Sequence, residues 1–158
     1  MRKIVFLALL VCCLVLSCCE PSCKTPNEPD NPDDPSKPTA TVDFSVVENP
    51  FNVQNKSSQW YVDIHIKVKE TGGVGVDITD VRTEWVKNDD PKSTTHSAGG
   101  RLPANGNVTL AVYSTCPQDI KADFLRITVI GKDDNDHDIS VNHKWNIDWS
   151  GTLALQVY

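Results

Sequence analysis

The chain has 158 residues, of which 15 are Lys or Arg and 21 are Asp or Glu, giving a formal net charge of −6 with 39% hydrophobic residues. That length holds one ordinary domain and a tail. Residues 41–158 carry 11 basic and 16 acidic side chains and stand at −5, and an acidic domain without a basic stripe excludes nucleic acid as the expected partner.

Arg2 and Lys3 precede an apolar run over residues 4–16, and Ser17 and Cys18 come directly after it. The run is too short to span a bilayer as a mature helix and fits the h-region of a secretory signal. The phrase Val15-Leu16-Ser17-Cys18 resembles the bacterial lipobox. The resemblance implies that residues 1–17 are a lipoprotein signal peptide and that Cys18 becomes the acylated first mature residue. The membrane is then a partner through the lipid anchor, and the bacterial cell envelope is the location, with the outer membrane or cell surface favoured. Each buried methylene contributes ~0.8 kcal/mol, so two or more acyl chains hold a protein almost permanently. Cys12 and Cys13 leave with the signal, and Cys19, Cys23 and Cys116 remain. Three thiols cannot all pair internally, so no core disulfide is expected; a bridge from Cys116 to the tail is the alternative.

Residues 18–40 read as a disordered, Pro-rich tether. Pro26, Pro29, Pro32, Pro35 and Pro38 recur every third residue among Asp, Glu, Asn and Ser. Polyproline II repeats every three residues, so the prolines share one face. Such a segment buries no apolar area and extends at about 3.1 Å per residue, lifting the downstream domain clear of the headgroups.

From Thr41 the period becomes two. Val42, Phe44 and Val46 define a first strand ending at Asn49-Pro50, and Trp60, Val62, Ile64, Ile66 and Val68 define a longer one stopped by Gly72-Gly73. Val76 and Ile78 begin a third, but Val81 and Trp85 lie on the other parity, which predicts a β-bulge near Thr79-Asp80. A weak polar stretch succeeds the turn at residues 88–91. Then come Val108, Leu110 and Val112, next Leu125, Ile127 and Val129, and finally Ile139, Val141, His143, Trp145, Ile147 and Trp149. Residues 152–158 add a closing strand. About seven strands without an amphipathic helix predict an all-β, antiparallel, Ig-like sandwich over residues 41–158.

The phrases Glu70-Thr71-Gly72-Gly73-Val74-Gly75-Val76, Gly100-Arg101-Leu102-Pro103-Ala104-Asn105-Gly106 and Ile130-Gly131-Lys132-Asp133-Asp134-Asn135 resemble the turns of Ig-like and fibronectin-III-like domains of bacterial surface lipoproteins. The resemblance implies a non-enzymatic module that is adhesive, structural or ligand-presenting, with a protein or polysaccharide at the cell surface as its partner.

Asp133, Asp134, Asp136 and Asp138 cluster between two strands, and clustered oxygens are what calcium needs. An EF-hand register fails, because the sixth and twelfth positions counted from Asp134 are Ile139 and Trp145. A polar hairpin tip is the first reading, with calcium, helped by Asp89 and Asp90, the alternative. No Gly-x-Ser-x-Gly elbow or His-rich zinc spacing marks a catalytic site, so no enzyme is expected. Trp60, Trp85, Trp145 and Trp149 read as core. Turned outward, Trp145 and Trp149 would sit about 13 Å apart along a strand, suited to sugar rings; Tyr61, on the polar parity, is the better exposed aromatic. Asn49-Pro50 and Gly99-Gly100 resemble two loops of cysteine-protease inhibitors, a further alternative without the third motif. Asn55-Lys56-Ser57 and Asn107-Val108-Thr109 match sequons that a bacterium seldom uses.

Overall fold

Period-two alternation becomes extended strand along the chain. The computed structural model describes residues 36–151 and the backbone of residues 153–157. The expected signal peptide, Cys18 and the tether up to residue 35 lie outside the described residues. The strands are β1 (Val42–Val46), β2 (Phe51–Asn52), β3 (Gln54–Lys56), β4 (Gln59–Glu70), β5 (Val76–Lys87), β6 (Asp90–Leu102), β7 (Asn107–Pro117), β8 (Phe124–Asp133), β9 (Asp138–Asp148) and β10 (Leu153–Val157). Every pairing is antiparallel, in two sheets, so the domain is an all-β sandwich.

In the smaller sheet β4 is central. It pairs along its length with β7, from Gln59↔Pro117 to Lys69↔Asn107, while β1 and β3 share its other side. The larger sheet has the order β2-β10-β9-β8-β5-β6. Inward parity gathers Val62, Ile64, Ile66 and Val68 of β4, Leu110 and Val112 of β7, and Leu125, Ile127 and Val129 of β8. Trp85 and Trp145 fill the centre, both fully buried. Each large side chain buried in this way contributes about 1.5–3 kcal/mol. A polar chain joins the sheets inside this core: the Trp85 indole N–H donates to Ser114 Oγ at 2.9 Å, and Ser114 donates to Thr95 Oγ1 at 3.0 Å.

The predicted bulge is present. Against β8 the register shifts between Ile78 and Asp80, which carries the inward side from Val76 and Ile78 to Val81 and Trp85. Glycines on both flanking strands make room for it. A Cβ on Gly99 would lie 1.9 Å from Ile78 O, and one on Gly131 would lie 2.4 Å from Asp77 O. Gly99-Gly100 therefore belongs to strand β6, opposite Ile78, and not to a loop, which corrects the reading of that phrase as an inhibitor-like loop. The polar stretch after residue 91 is likewise a full strand. Its Ser, Thr and His side chains suit it to the sheet edge, where one face needs no apolar cover.

The strands run between two poles. Residues 38–41 enter at the pole formed by the β4–β5, β6–β7 and β8–β9 turns. The β7–β8 segment, the β3–β4 turn and the end of β9 form the other pole.

Candidate functional site

The entry pole is closed by two carboxylates on the inner parity of their strands. Glu70, fully buried at the end of β4, accepts N–H bonds from Thr41 at 3.2 Å, Gly73 at 3.0 Å, Asn105 at 2.7 Å and Gly72. Asp133, at the end of β8, accepts N–H bonds from Ala40 at 3.0 Å, Asn135 at 2.8 Å and His137 at 3.0 Å, and its Oδ2 lies 3.0 Å from His137 Nδ1. Burial, the largest influence on each, pushes both carboxyls up, but the donors together outweigh it and hold both below the ordinary carboxylate range. Pro38 is tied to the same pole, its carbonyl accepting from Asn135 Nδ2 at 2.7 Å. The last residues of the expected tether are thus fastened to the domain.

The four aspartates that the calcium reading grouped have separate partners in this geometry. Both Asp133 oxygens are spent on nitrogen donors. Asp134 is held by Arg101, whose Nη1 also reaches Asp77 Oδ1 at 3.1 Å, so a guanidinium occupies the space between those carboxylates. Asp136 takes the turn position with φ of 67°, and Asp138 lies 3.7 Å from Lys132 Nζ on the outside. Among the described residues no group of three or more His, Cys, Asp or Glu is placed to hold a metal ion. The hairpin-tip reading is the one the backbone adopts.

At the far pole the aromatic residues separate by environment. Trp145 is fully buried against Phe44 and Phe51, with ring centroids 6.1 Å away in each case. A sugar-stacking face built from Trp145 and Trp149 is therefore not available, because inward parity places Trp145 in the core. Trp149 is half-buried, 4.7 Å from Trp60 centroid to centroid. Its N–H donates to Ala122 O at 2.8 Å, and that of Trp60 donates to Gln118 O at 3.0 Å. The β7–β8 segment is pinned further by Gln118 N to Ser58 O, Asp123 N to Val86 O and Ile147 N to Asp123 O. Trp149, Lys87, Lys121, Asp123 and Asn146 line a wide-mouthed cleft of about 590 Å³ beside this segment.

The second aromatic feature lies on the outer face of the smaller sheet. Tyr61 of β4 and Tyr113 of β7 both point outward, in diagonal register, since Tyr61 opposes Thr115 and Tyr113 opposes Asp63. Their centroids are 6.3 Å apart at an interplanar angle of 38°. Tyr113 is 54% exposed, and Val47, at 57%, is the other exposed large hydrophobic residue among those described. Val47 sits on the same face, its N–H bonded to His65 O at 2.9 Å. Around the rings stand Gln54, whose Oε1 accepts from the Tyr61 hydroxyl, and Lys56, whose Nζ is 5.9 Å from the Tyr61 ring centre.

The histidines are dispersed, each beside one carboxylate: His65 with Glu48, His96 with Asp80, His137 with Asp133 and His143 with Asp43. Each of these pairs lies in a different part of the domain, so no two of the histidines share a carboxylate. Cys116 is buried opposite Trp60. Burial chiefly, with Asp119 assisting, pushes its thiol up to about 11, a protonated and poorly nucleophilic state.

Fold and surface together define a two-sheet antiparallel sandwich with a carboxylate-latched entry pole and a tyrosine pair, Tyr113 exposed and Tyr61 half-buried, toward the opposite end. No family model and no curated protein matches the chain. Among solved structures it is similar to a Bordetella pertussis protein assigned as ApaA, with a TM-score of 0.46 and 17% identity over 66% of this chain and 89% of that one. It is also similar to a protein from Archaeoglobus fulgidus, with a TM-score of 0.38 and 9% identity over 68% and 96% of the two chains. The sporulation control protein Spo0M from Bacillus subtilis has a TM-score of 0.38 and 15% identity, over 67% of this chain and 48% of that chain.

Proposed function

We propose that the protein is a lipid-anchored component of the bacterial cell envelope whose Ig-like sandwich acts as a non-enzymatic binding module. The supporting observation is polarity along the domain. The chain enters at a pole fastened by Glu70 and Asp133, while the exposed Tyr113 and the half-buried Tyr61 lie toward the other end. From Glu70 to Tyr61 is nine residues of strand, about 30 Å at strand rise. An acylated Cys18 would then connect to the domain through residues 38–41, leaving the tyrosine end free of the connection. Dispersed histidines and a protonated Cys116 favour binding over catalysis.

The test is fractionation and intact mass of the full chain from a bacterial host beside a Cys18→Ser variant, and then rebinding of the released variant to isolated envelope fragments. Acyl mass and membrane attachment that disappear together in the variant, with saturable rebinding, are expected. A variant that fractionates like the parent refutes the anchor, and the absence of saturable rebinding refutes the binding module.

A further inference from the structure

We propose that the outer face of the smaller sheet, centred on Tyr61 and Tyr113, is a binding platform for a neutral polysaccharide. This rests on the reading of the domain as a binding module and names its ligand class.

Strand register brings together two rings that lie far apart in sequence. Tyr61 and Tyr113 sit on adjacent strands with centroids 6.3 Å apart, and aromatic pairs at this distance offer a continuous apolar surface. The two large hydrophobic residues most exposed among those described, Tyr113 and Val47, share this one face, and exposed apolar surface gathered on a single face marks interaction sites more often than scattered residues do. Both rings stand on strands held to each other along Gln59–Lys69, and β3 pairs β4 on the far side of Tyr61, so the backbone under the pair is set by the β4–β7 ladder and little ordering entropy is lost on binding.

The chemistry around the rings selects the occupant. Pyranose rings present C–H faces that pack on aromatic rings and hydroxyls at their rims that need both donors and acceptors. Gln54 and Thr115 flank Tyr61, Asp63 stands beside Tyr113, and the Lys56 ammonium stands over the Tyr61 ring at 5.9 Å, on a flexible side chain that a stacking sugar displaces. One lysine and one aspartate leave this part of the face without net charge, which matches an uncharged glycan. A protein partner needs about 800 Å² per side with an apolar centre, whereas here polar side chains border the rings closely. The 38° tilt between rings allows successive sugars to stack while the glycan chain twists.

The experiment is affinity electrophoresis of the Cys18→Ser chain through gels containing soluble neutral polysaccharides (xyloglucan, mannan and a starch-type glucan), with polygalacturonate as the acidic comparator. Retardation by at least one neutral polymer is expected, weakened at least tenfold in Tyr61→Ala and in Tyr113→Ala. Tyr113 is exposed, so its variant keeps the parent melting temperature, and Thr109→Ala, toward the entry pole on the same face, keeps the parent affinity. Three results overturn the proposal: no retardation by any neutral polymer, retardation by polygalacturonate alone, or unchanged retardation in the double Tyr variant. Envelope rebinding separates the two readings. Rebinding that survives the double Tyr variant, or that is abolished by protease treatment of the fragments, leaves the binding module standing and removes this platform. A parent chain that rebinds nothing removes both.

Discussion

Replacing Glu70 tests whether the entry pole is held by charge. The side chain is fully buried and accepts four backbone N–H bonds, from Thr41, Gly72, Gly73 and Asn105. In Glu70→Ala these donors lose their acceptor. A buried donor left unpaired costs about 1–3 kcal/mol, and the glycines of the turn can recover water, so the expected net loss is about 3–5 kcal/mol. Glu70→Gln keeps the shape and one acceptor oxygen and should cost roughly 2 kcal/mol. The pH dependence carries the sharper signature. The donors outweigh burial and hold the folded carboxyl below the ordinary glutamate value of roughly 4.3. The folded state therefore takes up the proton less readily than the unfolded chain. The stabilisation is complete above that value and is lost as pH falls through it toward the depressed folded value. Urea unfolding of parent, Ala and Gln chains between pH 7 and pH 3 provides the assay. The parent should lose stability more steeply than Glu70→Gln below pH 5, with the two curves converging in acid. A loss under ~1 kcal/mol for Glu70→Ala at pH 7, or parallel curves for parent and Gln, would refute the latch.

Two further substitutions probe the interior. Trp145→Ala should destabilise by about 3–5 kcal/mol in the same unfolding assay. Trp145→Phe should cost less than its lost volume implies, because the buried Trp145 indole N–H has no hydrogen-bond partner among the described residues; equal costs for Ala and Phe would contradict this. Gly99→Ala places a Cβ 1.9 Å from Ile78 O, so β6 must move, with a loss above ~2 kcal/mol or altered amide exchange along β5 and β6. A neutral result would mean that the bulge does not depend on that close approach.

Parity explains what could be read ahead of the fold. The inner stripes of β4 and β9, the bulge at Thr79 and the core role of Trp145 come from which side of the alternation each apolar residue occupies. Strand β6 could not be read this way. As a sheet edge it has Ser, Thr, His and Gly where an interior strand would show apolar residues, and its extension is maintained by pairing with β5, a tertiary effect that leaves no local period. Strands β2 and β3 are too short for alternation to appear.

The same rule, carried one residue further, exposes the latch. Glu70 continues the stripe Val62, Ile64, Ile66, Val68, and Asp133 continues Leu125, Ile127, Val129, Gly131. A carboxylate at the end of an inward stripe must be buried, and a buried carboxylate persists only with donors around it; turns rich in Gly and Asn supply backbone N–H groups for that purpose. Along the chain Asp133 resembles one member of an acidic cluster, because counting carboxylates in sequence ignores which side of the strand each occupies. The tyrosine pair lies beyond any such rule. Outward parity is legible at Tyr61 and at Tyr113 separately, but their adjacency depends on the β4–β7 register across some fifty residues of intervening chain. Only pairing geometry turns two ordinary outward tyrosines into one surface.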